Sequence, residues 1–401
     1  CVFLWVIKRI ILMSKIIDEH FNGLDLDIRK KNIGTFMDQK VTPDVVSGVA
    51  ECILEYLSEN EEPFTINDIR HFEYSNQLVK EVFNKPDVQK AENEYDKFFS
   101  QPIKMLAYAG ILEEDLNKRP YKYSVSNNTV LEYVEMRERN GATFLQKYLE
   151  KLTLDSGIKI LFDEFFISQN KAGYERLKTR FINFVIDNTP KNDPVDISRI
   201  FSKIINPLAF REKKFGTRRG SISQTVISLD ELYYNRPNWR DISKDKSITR
   251  EEAKALFEDV VENKNFFKHH VTKAKKFVRK IQPFSEIHRF EQYPGLQAHH
   301  IFMESEFPQI ADLPENIIIL TPNQHYYRAH PNNKTSVIDE KYQAICLMSK
   351  LDSIEINNRS GESDYSLEDF IDVLNTGFET EHFNTGMDYE EVKHQIMNHV
   401  Y

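Results

Sequence analysis

The sequence predicts a mostly helical α+β protein. Apolar residues recur at helical spacing in several long segments of the first 200 residues. Short runs rich in β-branched and aromatic residues, bounded by turn residues, indicate a few strands. With 401 residues, the chain is long enough for two or three domains. A hydrophobic content of 40% and an aromatic content of 12% fit folded domains better than a disordered chain.

The first domain is expected over residues 13–127, where helical segments precede a hairpin. Apolar residues follow helical spacing at 42–59 and 91–109, a shorter helix follows Phe64, and Gly110 suits a helix end. The runs ILEED and YKYSV, separated by LNKRP, then predict two paired strands. This order resembles a winged helix, which would contact DNA or RNA through its last helix and the hairpin tip. A small helical protein-interaction module is the alternative.

Residues 128–280 are expected to form a helical region that carries two basic segments. In the first, lysine and arginine surround Gly216 and Gly220, so that backbone and side chains could approach phosphates closely. The second, residues 268–280, holds six Lys or Arg, two His and no acid, and a polyanionic partner would offset the repulsion among these charges. A solvated loop and a solvated helix face are the alternatives. The expected nucleic-acid contacts are Lys213, Lys214, Arg218, Arg219, Lys273, Lys276 and Arg279, and Asn235, Arg236 and Asn238 could hydrogen-bond base edges.

The net charge of −9 argues against a protein coated in positive potential. Residues 351–401 contain twelve acidic residues and two basic ones, a balance of −10, which leaves the rest of the chain at +1. Basic patches outside this segment are therefore compatible with the overall acidity. The acidic helical segment, expected over 353–401, could shield a basic surface, contact a second subunit or form a solvated cap.

The cysteine content and the apolar run at residues 1–12 indicate the cellular compartment in which the protein is expected. The three cysteines, Cys1, Cys52 and Cys346, are far apart and form no CxxC pair, so neither a disulfide scaffold nor a zinc ribbon is indicated. The apolar run at residues 1–12 is interrupted by two basic residues and is too short to span a bilayer. We therefore expect a cytoplasmic protein without a membrane partner, in which residues 1–12 are upstream sequence or the edge of a fragment.

Residues 296–330 hold four of the twelve histidines. The run LQAHHIF predicts a strand, the two-proline stretch after it a loop, and NIIIL a second strand. Thr321 and Gln324 then form a capping-box pattern, which predicts a helix through 325–329. Because neighbouring strand residues point to opposite faces, His299 and His300 are not expected to bind one metal together.

The helix after the second strand can pack across the hairpin and bring His325 to one of the strand histidines. Two neutral imidazoles would leave a divalent metal with open positions for phosphate oxygen and water. The other strand histidine could take a proton from water, because its unperturbed pKa is near neutrality. Asn316 could hold the loop, or orient that histidine, through its amide.

This window resembles the HNH nucleases, also called the ββα-metal fold, which cut phosphodiester bonds with one divalent metal. Asn316 and His325 follow His299 by 17 and 26 residues, the positions that the motif requires, whereas the pair His269–His270 fails the same test. The resemblance places the nuclease domain at 281–352, with magnesium as the expected metal and manganese as the alternative. It implies that His299 and His325 bind the metal, that His300 is the general base, that Asn316 is the central Asn, that Arg328 lies near the scissile phosphate and that His330 assists there as a nucleic-acid contact.

Many HNH domains are braced by a CxxC zinc pair, which this window lacks. The hairpin is therefore expected to be held by packing of Leu296, Ile301, Ile317, Ile319, Leu320 and the following helix YQAICLMSKL.

The segments at 206–223 and 329–335 are similar to type II restriction endonucleases with HNH domains. This resemblance implies a site-specific endonuclease for double-stranded DNA, a homodimer as one arrangement for cutting both strands, and a cognate DNA methyltransferase acting on the same site. The alternatives are a less specific HNH nuclease of phage defence or a toxin, and a DNA-binding regulator with an inactive HNH remnant. A small-molecule enzyme is disfavoured, since no Walker, dinucleotide or GxSxG pattern occurs.

Overall fold

The chain is mostly helical and carries small antiparallel sheets, as its sequence predicts. It forms two compact units, a first unit within residues 16–262 and a second unit from Asn263 to the C-terminus. No helix in the described part of the chain combines the length and the apolar character needed to cross a bilayer. The computed structural model describes residues 17–31, 33–83, 85, 92–234, 264–287, 293–330, 338–361, 364–384 and 386–400, so residues 1–12 and the base-contact candidates Asn235, Arg236 and Asn238 lie outside it.

The N-terminal part of the first unit confirms the predicted hairpin. Gly110, at a φ of +74°, ends the helix before it. The two hairpin strands, β2 (Leu112–Asp115) and β3 (Lys122–Val125), pair antiparallel. A short strand that the sequence did not predict, β1 (Phe64–Thr65), pairs with β3, so the strand order is β1-β3-β2. After short helices at Ile28–Lys31 and Gly34–Phe36, the elements are α1 (Pro43–Glu59), β1 (Phe64–Thr65), α2 (Ile66–His71), α3 (Glu73–Glu81), α4 (Glu92–Tyr108), β2 (Leu112–Asp115) and β3 (Lys122–Val125).

In the described part of the first unit, which ends at residue 234, five further α-helices and a second hairpin follow. Aromatic side chains, among them Phe144, Tyr148, Phe162 and Phe181, fill the spaces between these helices and are buried. The hairpin was expected only as a basic loop. At its base, a Cβ on Gly216 would lie 2.5 Å from Asn206 Oδ1, so the backbone approaches too closely for a larger residue. The elements are α5 (Asn128–Met136), α6 (Glu138–Asp155), α7 (Lys159–Ser168), α8 (Lys171–Asn188), α9 (Pro194–Arg211), β4 (Phe215–Arg218) and β5 (Ser221–Val226).

The second unit is built around a buried two-stranded hairpin. Its elements are α10 (Lys264–Ile281), β6 (Gln297–His300), β7 (Ile317–Leu320), a π-helical segment (Gln324–Ala329), α11 (Glu340–Arg359), α12 (Leu367–Gly377) and α13 (Tyr389–Val400). Four of the five residues expected to hold the hairpin, Ile301, Ile317, Ile319 and Leu320, are completely buried. Leu296 is 63% exposed, so the expectation that it packs in this core was wrong.

The units group the chain differently from the four expected segments. Helix α10, expected to belong with residues 128–280, lies in the second unit together with the hairpin. Helix α11 runs through the expected boundary at 352/353. Val392 and Ile396 of the acidic C-terminal segment are fully buried in the same core as Ile318 and Leu320. The acidic segment is therefore an integral, core-forming part of the second unit.

Candidate metal and nucleic-acid site

Strand β6 presents its two histidines to different surroundings. The antiparallel register sets His299 opposite Ile318 and His300 opposite Ile317. The side chain of His299 turns toward His325, with 5.2 Å between the ring centres, whereas His300 contacts the backbone of Ala311. The alternation of strand side chains thus separates the two neighbouring histidines, as their position in a strand predicts.

Three histidines form one cluster, and we refer to His299, His325 and His330 as the histidine cluster. Their ring centres are 4.9–5.2 Å apart, and one ring nitrogen from each lies within 4.8 Å of the others. The structure therefore brings together the two histidines expected to bind metal. It also adds His330, which was expected to contact nucleic acid. At 5% exposure, His330 is buried against the other two rings, so its position argues against that role.

The local backbone explains why His325 and His330 converge. The predicted capping box is present: Gln324 N donates to Thr321 Oγ1 at 3.2 Å, and Thr321 N donates to Gln324 Oε1 at 2.8 Å. The helix expected through 325–329 is present, and it is π-helical over Gln324–Ala329. Residues five apart on an α-helix are separated by about 140° around the axis. A π-helix joins residues five apart by its hydrogen bonds, so that His325 and His330 fall on the same side.

The surroundings of His299 and His325 favour the neutral form of both imidazoles. Burial lowers the pKa of His299 well below its ordinary value, and the neighbouring rings of His325 and His330 lower it further. Burial, aided by His330, lowers the pKa of His325 to about 4. His325 Nδ1 is buried and has no hydrogen-bond partner among the described residues. A buried nitrogen without a partner, beside two other imidazole rings, is the arrangement that a metal ion would satisfy.

The donor set bears on which metal fits. Mg²⁺ prefers oxygen ligands and keeps several waters, whereas imidazole nitrogen suits Zn²⁺ and neighbouring transition metals. A set of three imidazoles with room for a further ligand is also the pattern of catalytic zinc sites. The histidine cluster therefore fits a divalent transition metal better than the magnesium that the family resemblance implied.

Metal titration tests this donor set. We expect Co²⁺ and Zn²⁺ to bind the full chain, with millimolar Mg²⁺ failing to displace them. His330→Ala should weaken Co²⁺ binding at least about 10²-fold, because losing a direct ligand should cost no less than losing a residue that supports one. The visible absorption of Co²⁺ gives the affinity, and His382→Ala, an exposed histidine of the same unit, is the matched control. An unchanged affinity in His330→Ala would remove His330 from the ligand set.

His300 is held by its Nε2 atom. This nitrogen lies 2.9 Å from the carbonyl oxygen of Ala311, which can only accept, so Nε2 carries the hydrogen and Nδ1 is the acceptor of the neutral ring. Burial and the nearby ammonium of Lys275 lower the pKa of His300. Glu304 Oε2 lies 3.7 Å from Nδ1. The ring is thus neutral near pH 7, and its basic nitrogen is free of a short hydrogen bond to Glu304.

Asn316 braces the loop between the two strands. Its amide nitrogen donates to the carbonyl oxygens of Phe302 and Ile310 at 3.0 and 3.2 Å, and its Oδ1 accepts from the backbone N–H of Phe302 at 2.9 Å. The residue is completely buried. Of the two roles considered from the sequence, holding the loop is the one that these bonds provide, and they include none to His300.

The basic residues of the second unit that were expected to contact nucleic acid lie on α10 and on the π-helical segment. Helix α10 buries Val271, Ala274, Phe277 and Val278, whereas Lys276 and Arg279 are exposed and Lys273 is half-buried. Arg328 is exposed on the π-helical segment. These expected nucleic-acid contacts therefore belong to the same compact unit as the histidine cluster.

The other expected contacts lie on hairpin β4–β5 of the first unit. Lys213 and Arg219 are exposed and adopt a positive φ at the turns, and Lys214 is half-buried. Arg218 forms a bidentate ion pair with Glu231, with 2.6 Å between Nη2 and Oε2, and donates to Thr225. Its charge is already matched by a carboxylate, which disfavours the expected role of Arg218 as a phosphate contact.

No protein-family model, curated protein or solved structure matches this chain. Its function therefore has to be inferred from its own residues.

Proposed function

We propose that this protein is a metal-dependent DNA endonuclease whose active site is the histidine cluster together with His300. The observation that carries the proposal is the arrangement around strand β6. Three histidines converge on one side, and on the other His300 offers a basic nitrogen whose ring is fixed by Ala311. The basic helix α10 packs in the same unit and could hold a polyanion nearby.

The roles of the side chains follow from these positions. His299, His325 and His330 would hold a divalent metal, which when bound would stabilise the negative charge that builds on the phosphate. His300 Nδ1 would accept the proton of the attacking water, because Nε2 already carries a hydrogen that Ala311 holds. Asn316 keeps the loop that carries Ala311 in place. Arg328 and the exposed cations of α10 would contact DNA phosphates.

Site-specific cleavage is the finer part of the proposal. In the first unit, the order of helices and the three-stranded sheet resemble a winged helix, and hairpin β4–β5 adds exposed cations. Surfaces of this kind could recognise the DNA sequence at which the second unit cleaves. A restriction enzyme would also require a methyltransferase for the same site, and a dimer would allow both strands to be cut.

The proposal is tested with purified full-length chain on plasmid and phage DNA. Separate reactions contain Zn²⁺, Co²⁺, Mn²⁺ or Mg²⁺, and a matched reaction contains EDTA. We expect cleavage that EDTA abolishes, with discrete fragments of reproducible size. Random degradation would support the less specific nuclease and would contradict the proposal that cleavage is site-specific. DNA that stays intact with every metal while its gel mobility shifts would contradict the endonuclease and support a regulator with an inactive HNH remnant.

A further inference from the structure

Among the cations of α10, Lys275 differs from those that the sequence singled out. Its side chain is 28% exposed and lies beside the loop between β6 and β7, whereas Lys276 and Arg279 are exposed. The Nζ atom of Lys275 is 3.5 Å from Oε2 of Glu304 in that loop. The apolar side of helix α10 packs against β7. This packing holds Lys275 in a fixed position relative to the strand pair that carries His299 and His300.

Glu304 connects Lys275 with His300. The same carboxylate oxygen, Glu304 Oε2, lies 3.7 Å from His300 Nδ1. The ammonium of Lys275 and the basic nitrogen of His300 therefore cannot be farther apart than the sum of these two distances. In agreement with this proximity, the positive charge of Lys275 lowers the pKa of both His300 and His299.

The carboxylate of Glu304 is placed where a substrate anion would have to come. Glu304 is 48% exposed and belongs to the loop, so its side chain can turn away at little cost. A phosphodiester beside His300 would repel Glu304 and attract Lys275. The ammonium of Lys275 would then exchange one anionic oxygen for another, and its charge would never be left unmatched.

We propose that Lys275 binds a non-bridging oxygen of the scissile phosphate, and that Glu304 holds its ammonium in position until DNA arrives. This inference rests on the proposed nuclease function and deepens it, since it names the cation that the site offers to its substrate. Lys275 is then a substrate-binding residue of the active site, distinct from the exposed cations of α10 that contact the flanking backbone.

Nicking of supercoiled plasmid by the full chain tests this assignment, with the metal that best supports wild-type cleavage. Lys275→Ala should lower the maximal rate at saturating protein by about 10²-fold, the loss expected for one charged donor to the transition state. Lys275→Arg should recover part of that loss, because it keeps the charge. Lys341→Ala, an exposed lysine on α11 of the same unit, is the matched control and should keep the wild-type rate.

A double variant separates substrate binding from simple neutralisation of Glu304. Lys275→Ala with Glu304→Gln should stay as slow as Lys275→Ala alone, because the phosphate still lacks its cation. Recovery of the wild-type rate in the double variant would overturn the proposal, and so would Lys275→Ala with a rate within about twofold of wild type. Co²⁺ affinity should be unchanged in Lys275→Ala, and its loss would assign Lys275 to the structure of the metal site instead. Wild-type protein that cuts no DNA would overturn the proposed function itself, whereas active wild type with an equally active Lys275→Ala would overturn only this assignment.

Discussion

Replacing His300 with alanine should lower the rate of DNA cleavage by roughly 10²–10⁴-fold, the range expected for the loss of a general base. The affinity for Co²⁺ should stay at the wild-type value, because His300 points away from the histidine cluster and contacts Ala311. A defect confined to the chemical step is therefore expected. The maximal rate at saturating protein measures it, and the Co²⁺ titration reports on the metal site separately.

Alanine also removes the hydrogen bond to Ala311, so a second variant is needed to separate chemistry from loop structure. In His300→Gln the amide nitrogen can still donate to the Ala311 carbonyl, but the side chain cannot take a proton from water. We expect His300→Gln to be as slow as His300→Ala. The exposed His382→Ala should cleave at the wild-type rate. Substantial activity in His300→Gln would show that the residue positions the loop and does not act as the base.

The parts of the site that could be predicted from the sequence are those set by local rules. Strand alternation separates His299 from His300 whatever the rest of the chain does. The Thr321–Gln324 capping box depends on residues three apart, and both of its hydrogen bonds are present. In the first unit, Gly110 ends a helix at a positive φ, which glycine adopts without steric cost.

The parts that sequence reasoning missed depend on contacts between distant residues or on backbone irregularity. His330 joins the histidine cluster from the residue that follows a π-helical turn, whereas α-helical spacing from His325 predicts a different direction for its side chain. The five-residue step from His325 to His330 was the available signal. Arg218 seemed free for phosphate because its partner Glu231 lies thirteen residues away. The sequence did not distinguish Lys275 from its neighbours on α10, because its ion pair with Glu304 depends on tertiary packing.

Replacing Lys350 with methionine should destabilise the second unit by about 3–5 kcal/mol. The ammonium of Lys350 is completely buried, 3.5 Å from Glu286 Oε2 and 3.9 Å from the centre of the Tyr365 ring. Methionine is similar in volume, so the cavity left behind is small. The cost arises because the carboxylate of Glu286, whose side chain is only 1% exposed, would lose its opposite charge.

The loss of stability in Lys350→Met should be largest at the outer edge of strand β7, where Glu286 contacts the strand. Glu286 N donates to Ile319 O at 3.0 Å, and Glu286 Oε1 accepts from Ile319 N at 2.9 Å. Glu286 thus satisfies both backbone groups of a strand residue that is completely buried. Strand β7 pairs with the strand that carries His299 and His300. This buried pair braces the hairpin in a chain that has no CxxC pair.

Hydrogen exchange followed by mass spectrometry shows which segments lose stability in the variant. In Lys350→Met, peptides that cover Ile317–Leu320 should exchange faster, whereas peptides from α6 in the first unit serve as the internal control and should not change. Adding Glu286→Gln removes the carboxylate charge that Lys350→Met leaves without its cation, and it keeps an acceptor for Ile319 N, so protection should largely return. If the double variant exchanges as fast as Lys350→Met alone, the stabilisation comes from packing of the Lys350 side chain against Tyr365. Recovery in the double variant would instead show that the ion pair stabilises β7 by matching the charge of Glu286.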